Sequence, residues 1–244
     1  MLSDQDLIIP DWPAPANVKA LQTTRAGGIS QPPYESLNLG MHVGDAPLDV
    51  AANRQCLNRW VPTEPVWLNQ VHGIHVIDAG TASCMPDADA AFARTRHTVC
   101  AVMTADCLPV LICDKAGTVV AAVHAGWRSL LDGVIEATVA KMRQPGSELL
   151  AWLGPAIGPE AFEVGDEVRA AFIAHDAHAE QAFKPAAAGK WLGDIFTLGR
   201  QRLANVGVQN VYGGGLCTHS NAERFFSFRR DNATGRMASL IWLE

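Results

Sequence analysis

Three short apolar runs crowd the middle of this chain, at residues 98–103, 109–113 and 119–124. They are rich in Val, and the second carries Ile112. None alternates as a half-exposed strand would. Such runs suit strands buried on both faces, so the rest of the chain must supply a covering layer on either side.

Helical segments are available to do this. Residues 46–60 read as a helix stopped by Pro62 and Pro65. Residues 129–143 carry Leu130, Val134, Ala137 and Met142 on one side, as a helix packed on a sheet requires. Further helices are expected at 165–175 and 193–206. Strands are expected at 66–70, 75–78, 150–153, 208–212, 225–228 and 238–243, with short strands and turns over 17–43. Strands and helices mix without strict alternation. Neither G-x-G-x-x-G nor a P-loop occurs, which argues against a Rossmann or mononucleotide-binding unit. The expected architecture is an α/β (α+β) layered sandwich of sheets and helices, forming a single domain over residues 1–244.

Composition narrows the function classes. The 244 residues are 48% hydrophobic and 18% charged with a net charge of −6, and no Lys/Arg-rich run appears. Nucleic acid is not an expected partner. The N-terminus lacks a basic segment followed by an apolar one, and the longest apolar stretch, broken by Asp106 and Pro109, is too short for a bilayer. A cytoplasmic protein without membrane association is expected. The six cysteines form no C-x-x-C pair and are expected to be free thiols.

One hairpin carries chemistry. Asp114-Lys115-Ala116-Gly117 has the residues of a type I turn. Pairing Asp114 with Gly117 sets Cys113 opposite Thr118, Leu111 opposite Val120, Pro109 opposite Ala122 and Cys107 opposite His124. Opposed residues have Cβ atoms about 4.5–5.5 Å apart. Cys107 and His124 are then placed either to share an ion or to act as a thiol–imidazole dyad. Asp106 adjoins the cysteine inside an apolar run, where a buried carboxylate is costly. A third polar centre, Asn69-Gln70-Val71-His72-Gly73, stands at another strand end. Two His and one Cys make a tripod of the catalytic zinc type, and the same donors suit copper. His72 as a plain loop imidazole satisfies the spacing equally well.

The order of motifs resembles the YfiH family, also called the laccase-domain or polyphenol oxidoreductase-like family. They stand here as Ser36-Leu-Asn-Leu-Gly40, Asn69-Gln-Val-His-Gly73, Asp87-Ala-Asp-Ala90, Thr104-Ala-Asp-Cys-Leu-Pro-Val110 and Val123-His-Ala-Gly-Trp-Arg128. Gly154-Pro-Ala-Ile-Gly-Pro159, Phe162-Glu-Val164, Cys217-Thr218, Phe225-Phe-Ser-Phe-Arg-Arg-Asp231 and Thr234-Gly-Arg236 follow. Ser129 departs from the glycine usual after Gly-Trp-Arg. The resemblance covers nearly the whole chain. It implies a layered α/β fold similar to the catalytic domain of cytotoxic necrotizing factor, and zinc held by His72, Cys107 and His124. It also implies purine nucleoside chemistry: phosphorolysis of adenosine, inosine, guanosine and methylthioadenosine, and deamination of adenosine. Copper-dependent polyphenol oxidation and editing of a peptidoglycan precursor are also associated with the family.

Under that reading zinc serves deamination by activating water for attack on the purine. Asp106 is either a proton carrier or a structural acceptor. Arg54, Arg229 and Arg230 are candidate forks for phosphate. Asn38 and Gln70 are expected to touch ribose or base, and Glu163 a substrate hydroxyl. A four-copper oxidase is disfavoured, because eight His without H-x-H spacing do not build several clusters. A metal-free thiol hydrolase, with Cys107 as nucleophile and His124 as base, is the competing enzyme class.

Overall fold

The computed structural model describes residues 2–82, 85–187 and 189–244. Cys84 falls outside them, and Cys56, Cys100, Cys107, Cys113 and Cys217 are free thiols. The strands are, in chain order, β1 Leu7–Ile8, β2 Val18–Thr23, β3 Val76–Asp78, β4 Ala90–Ala93, β5 Cys100–Thr104, β6 Leu108–Asp114 and β7 Val120–Ala125. They continue with β8 Leu149–Leu153, β9 Glu163–Gly165, β10 Phe183–Pro185, β11 Lys190–Gly193, β12 Asn210–Gly213 and β13 Met237–Leu243. The α-helices are α1 Pro47–Cys56, α2 Trp127–Asp132, α3 Val134–Met142, α4 Asp166–His175, α5 Ile195–Asn205 and α6 Phe228–Asp231.

The fold is mixed α/β. A six-stranded sheet, ordered β12-β8-β6-β7-β4-β3, faces a four-stranded sheet ordered β1-β2-β13-β5; β10, β11 and β9 form a small third sheet. β6 and β7 are buried along their whole length, as their unbroken apolar runs require. Their side chains serve two cores in alternation. Leu108, Val110 and Ile112 join Leu130, Ile135 and Leu198 under the helices. Leu111, Cys113, Val120 and Ala122 pack instead against Cys100, Val102 and Ile241 of the opposing sheet. The far face of the four-stranded sheet is closed by Leu37, Leu39, Leu57 and Trp67. No helix among the described residues is long and apolar enough to cross a membrane.

Several elements depart from the sequence-based expectation. The β6–β7 hairpin is shifted by two residues: Pro109, not Cys107, stands opposite His124, Leu111 opposite Ala122 and Cys113 opposite Val120. The Asp114–Gly117 turn does form, with the Gly117 amide donating to Asp114 O at 3.1 Å. The ladder begins one step further out because the Asp114 carboxylate also accepts from the Thr118 and Val119 amides at 2.6 and 3.0 Å. Thr118 thus joins the loop. A shift of two preserves the strand faces, so Cys107 still projects to the side of His124.

The helix expected over 129–143 is split into α2 and α3 at Gly133, where φ is +102°. Residues 66–70 contribute two isolated bridges, Val66 to Cys100 and Asn69 to Asp87, rather than a strand. Residues 225–228 are apolar for another reason: Phe225 and Phe226 plug a small core with Ala105 and Met237.

A Cβ at Gly133 would meet only ordinary contacts, the nearest Arg202 Nη2 at 3.5 Å. The cost of Gly133→Ala therefore comes from the left-handed backbone alone, about 1–2 kcal/mol. Urea denaturation is expected to show that loss with an unchanged m-value.

Candidate metal centre and its two-lobed cleft

His72, Cys107 and His124 meet at one end of the six-stranded sheet, their ligand atoms all within 4.8 Å of one another. Each arrives from a different piece of backbone. Cys107 sits in the bend between β5 and β6. That bend needs Asp106 at φ +95°, a conformation that is costly for a non-glycine residue. His124, near the end of β7, follows Val120 and Ala122 on the face turned toward the four-stranded sheet. His72 occupies the loop before β3, also at positive φ (+58°).

A single carboxylate coordinates two of these pieces. Asp89 precedes β4, which pairs with β7, so it lies beside His124 across the ladder. It is completely buried. Its Oδ1 lies 2.8 Å from His124 Nδ1. The same carboxylate accepts from the backbone amides of Val71, His72 and Gly73 at 3.2, 3.0 and 2.6 Å. One side chain therefore orients one imidazole and anchors the loop that carries another. With Nδ1–H given to Asp89, Nε2 of His124 is the nitrogen left for a metal.

The donor set fits a tetrahedral ion. Cys107 Sγ lies 3.7 Å from His72 Nε2. Two ligands at the usual zinc distances of about 2.0–2.3 Å would be separated by roughly 3.4–3.8 Å. The rings of His72 and His124 approach edge to face, 4.8 Å between centroids. Gly126 leaves them room: a Cβ there would stand 2.7 Å from His72 Cδ2 and 3.1 Å from Cys107 Sγ.

The same geometry polarises the ligands when no ion is bound. Burial pushes the Cys107 thiol up, but the charge of His124 and hydrogen bonds from both imidazoles overcome it, bringing the pKa to about 6. Burial lowers His124, yet the thiolate and Asp89 raise it to about 9. Asp89 is also pushed up by burial, and its bonds from His124 and Gly73 hold it below the usual carboxylate range.

The tripod stands where two lobes of a cleft join, and His72, Cys107, Ala105, Arg128 and Phe228 border both. The first lobe, about 350 Å³, adds His42, Gln70, Thr104 and Arg236. The second, about 230 Å³, adds Trp127, Ile157, Phe162 and Ile195, with Asp106 and Arg229. Arg128 is exposed and stacks on its neighbour Trp127 at 4.3 Å.

Other sequence-predicted site residues are placed as follows. Asp106 gives one oxygen to Thr218 Oγ1 and the other to the Arg229 amide, both at 2.6 Å. Gln70 lines the first lobe but clamps the amide and carbonyl of Met103 at 2.7 and 2.8 Å. Asn38 is buried beneath the lobe, its Oδ1 accepting from the Gly40 and Arg236 amides. Arg54 is spent on Leu39 O and on the Trp67 ring. Arg230 is spent on Asp231, Thr218 O, His219 O and Phe225 O. Glu163 is exposed, and it is its carbonyl that accepts from Arg229 Nη1. The structure thus brings His72, Cys107, His124, Asp106, Gln70 and Arg229 to the cleft, and sets Asn38, Arg54 and Arg230 behind its walls.

Sequence reasoning missed Asp89, His42, Thr104 and Arg128 as cleft or positioning residues, although all but His42 lie in the motifs quoted above. Burial, followed by the charges of Arg236, Arg54 and His124, lowers the pKa of His42.

The chain belongs to the family described as multi-copper polyphenol oxidoreductase laccase, whose model matches residues 19–244. Among its relatives, the protein named purine nucleoside phosphorylase YfiH of Shigella flexneri is 57% identical over 240 residues, covering 97% of this chain and 98% of that one. The purine nucleoside phosphorylase PA4543 of Pseudomonas aeruginosa is 54% identical, with the same coverage. The crystal structure of Neisseria meningitidis protein NMB0706 matches with a TM-score of 0.96 at 52% identity, covering 98% of this chain and 99% of that one. YlmD from Geobacillus stearothermophilus matches at 0.85 with 29% identity, covering 94% and 93%.

Two outcomes are expected. In metal-stripped protein, alkylation of Cys107 by iodoacetamide rises with a midpoint near pH 6, because the lowered pKa leaves thiolate above that pH; mass spectrometry of quenched samples reads this directly. Asp89→Asn, which turns an acceptor toward donors, lowers zinc affinity about 10–100-fold in chelator competition. It also costs about 2–3 kcal/mol of stability in urea.

Proposed function

We propose that the chain is a zinc-dependent purine nucleoside enzyme that cleaves the glycosidic bond by phosphorolysis and deaminates adenosine at the same centre. The observation that carries this reading is the tripod at the junction of two unlike lobes. One is lined by Trp127, Phe162, Ile157 and Phe228, and suits the face of a purine. The other is polar and cationic through Arg236, Arg128 and His42. A nucleoside with its base in the second, aromatic lobe sets its ribose at the tripod. In phosphorolysis a phosphate oxygen bonds to C1′ as the C1′–N9 bond breaks, and the base departs with that electron pair and takes up a proton.

His72, Cys107 and His124 would hold the ion, and zinc when bound supplies a Lewis acid beside the sugar and base. Asp89 keeps His124 in the tautomer that ligates. Asp106, with both oxygens engaged by Thr218 and Arg229, acts as a positioning residue that fixes the Cys107 bend rather than as a proton carrier. Phosphate recognition falls to arginines of the cleft rather than to Arg230, whose nitrogens are all engaged by the protein, or to Arg54, whose Nε–Nη2 edge is held on Leu39 O.

Among the described residues, His72, Cys107 and His124 are the one group of three His, Cys or acidic side chains placed to hold a metal. One such centre supports zinc over the several copper clusters of a polyphenol oxidase. A second reading, a thiol hydrolase, draws on the thiolate–imidazolium pairing of Cys107 and His124.

Metal analysis of protein purified without added metal is expected to give about one zinc per chain. Phosphate-dependent release of hypoxanthine from inosine should accompany it and disappear in Cys107→Ala and His124→Ala. Metal-free protein with rapidly alkylated Cys107 would favour the hydrolase, and intact nucleosides with and without phosphate would end the purine assignment. Gly126→Ala is expected to lose bound zinc with little change in circular dichroism, since its Cβ collides with the ligands and not with the core.

A further inference from the structure

Among the polar side chains of the first lobe, Thr104 is anomalous. The residue is 1% exposed. Its hydroxyl is fully buried and has no hydrogen-bond partner among the described residues. Buried hydroxyls are ordinarily paired, and a group left unpaired destabilises the fold. Gln70, in the same wall, spends both ends of its amide on Met103. The unpaired Thr104 hydroxyl marks a place where a ligand atom completes the wall.

Arg236 stands beside it. Met237 pairs with Thr104 in the β13–β5 ladder, so Arg236 is one step beyond that pair at the sheet end. Its guanidinium is held rigidly. The backbone amide donates to Asn38 Oδ1 at 2.9 Å, and Nη1 donates to Thr234 O and Gly235 O at 3.1 and 3.0 Å. Its stem lies over Gly40, where a Cβ would stand 2.8 Å from Arg236 Cγ. Nε and Nη2 find no acceptor among the described residues, and these two N–H groups form the edge that grips two oxygens of a tetrahedral oxyanion. His42 borders the same lobe.

We propose that Thr104, Arg236 and His42 form the subsite for inorganic phosphate, the co-substrate. The Arg236 edge takes two oxygens, and the Thr104 hydroxyl donates to a third. The assignment rests on the phosphorolysis reading for the identity of the oxyanion. It uses none of Arg54, Arg229 and Arg230. It also divides the labour between sheets: the phosphate groups stand at the end of the four-stranded sheet, while Cys107 and His124 stand at the end of the six-stranded one.

The test is calorimetric titration of zinc-loaded protein with inorganic phosphate alone, and separately with AMP, for the parent chain, Thr104→Val and Arg236→Met. Thr104→Val should weaken phosphate binding at least about tenfold, the loss of one hydrogen bond to a charged group. Its melting temperature without phosphate should be unchanged or higher, because the hydroxyl has no partner to lose. Arg236→Met should abolish phosphate binding. In turnover, Thr104→Val should raise KM for phosphate and leave KM for inosine unchanged. Equal phosphate affinity in Thr104→Val overturns the subsite, as does AMP binding where phosphate does not bind. Because phosphate is titrated without nucleoside, the two assignments fail separately. Phosphate binding that depends on Thr104, without nucleoside cleavage, overturns the activity and keeps the subsite. Nucleoside cleavage with an unaltered phosphate KM in Thr104→Val does the reverse.

Discussion

The buried carboxylate of Asp89 is the interaction on which the rest of the centre depends. A fully buried anion is tolerated only where donors surround it, and here three consecutive amides and one imidazole do so. The loop at His72 is tied at its ends, where Asn69 bridges to Asp87 and His75 O accepts from the Asp89 and Ala90 amides. At its tip, the amides of Val71, His72 and Gly73 converge on the Asp89 carboxylate beside the central sheet. Two ligands from unrelated parts of the chain thereby acquire a fixed relative position. Cys107 is fixed independently, by the Asp106 bend and its ties to Thr218 and Arg229. Two carboxylates thus stand behind the three candidate ligands, Asp89 behind both imidazoles and Asp106 behind Cys107, and neither needs to touch an ion.

The two-sheet construction explains why the cleft lies where it does. β6 and β7 run between a helical layer and the four-stranded sheet, sealed along their length. Only at their ends do side chains escape the core. There β5 and β13 end as well, so the mouth between the sheets collects residues from both. Strand interiors supply stability and strand ends supply chemistry, and in this chain the division is sharp: Val123 is a core residue, while its neighbour His124 points the other way to the tripod.

Much of this was legible in the residues. The unbroken apolar runs identified β5, β6 and β7, because strands covered on both faces have no polar alternation to confuse them. Strand faces depend only on parity, so Cys107 and His124 could be assigned to one side even with the hairpin register off by two. The error came from Asp114, whose side chain caps two further amides, a bond that spacing cannot reveal. The break at Gly133 was hidden because α2 and α3 share one hydrophobic stripe. Arginines were the weakest part of the reading. A guanidinium that holds backbone carbonyls, as Arg54 and Arg230 do, looks in sequence like one that waits for phosphate. What separates Arg236 from them is its unclaimed edge, a property of three dimensions alone. Asp89 and Thr104 were quoted within motifs, but nothing in their spacing tells a ligand from its support.

The sequence distances within the centre bear on how it comes into being. Cys107 and His72 are 35 residues apart, as are His124 and Asp89. Asp106 reaches Thr218 and Arg229 across 112 and 123 residues. Cys107 and His124 share the β6–β7 hairpin, but His72 and its anchor Asp89 come from outside it, so the full ligand set is complete only when long-range contacts are made. The loops that bring the ligands together are closed by the hydrophobic cores. A zinc finger folds around its metal; here the cores carry the fold, and an ion at the tripod would be a local guest. Its withdrawal would then empty the centre without unravelling the protein around it.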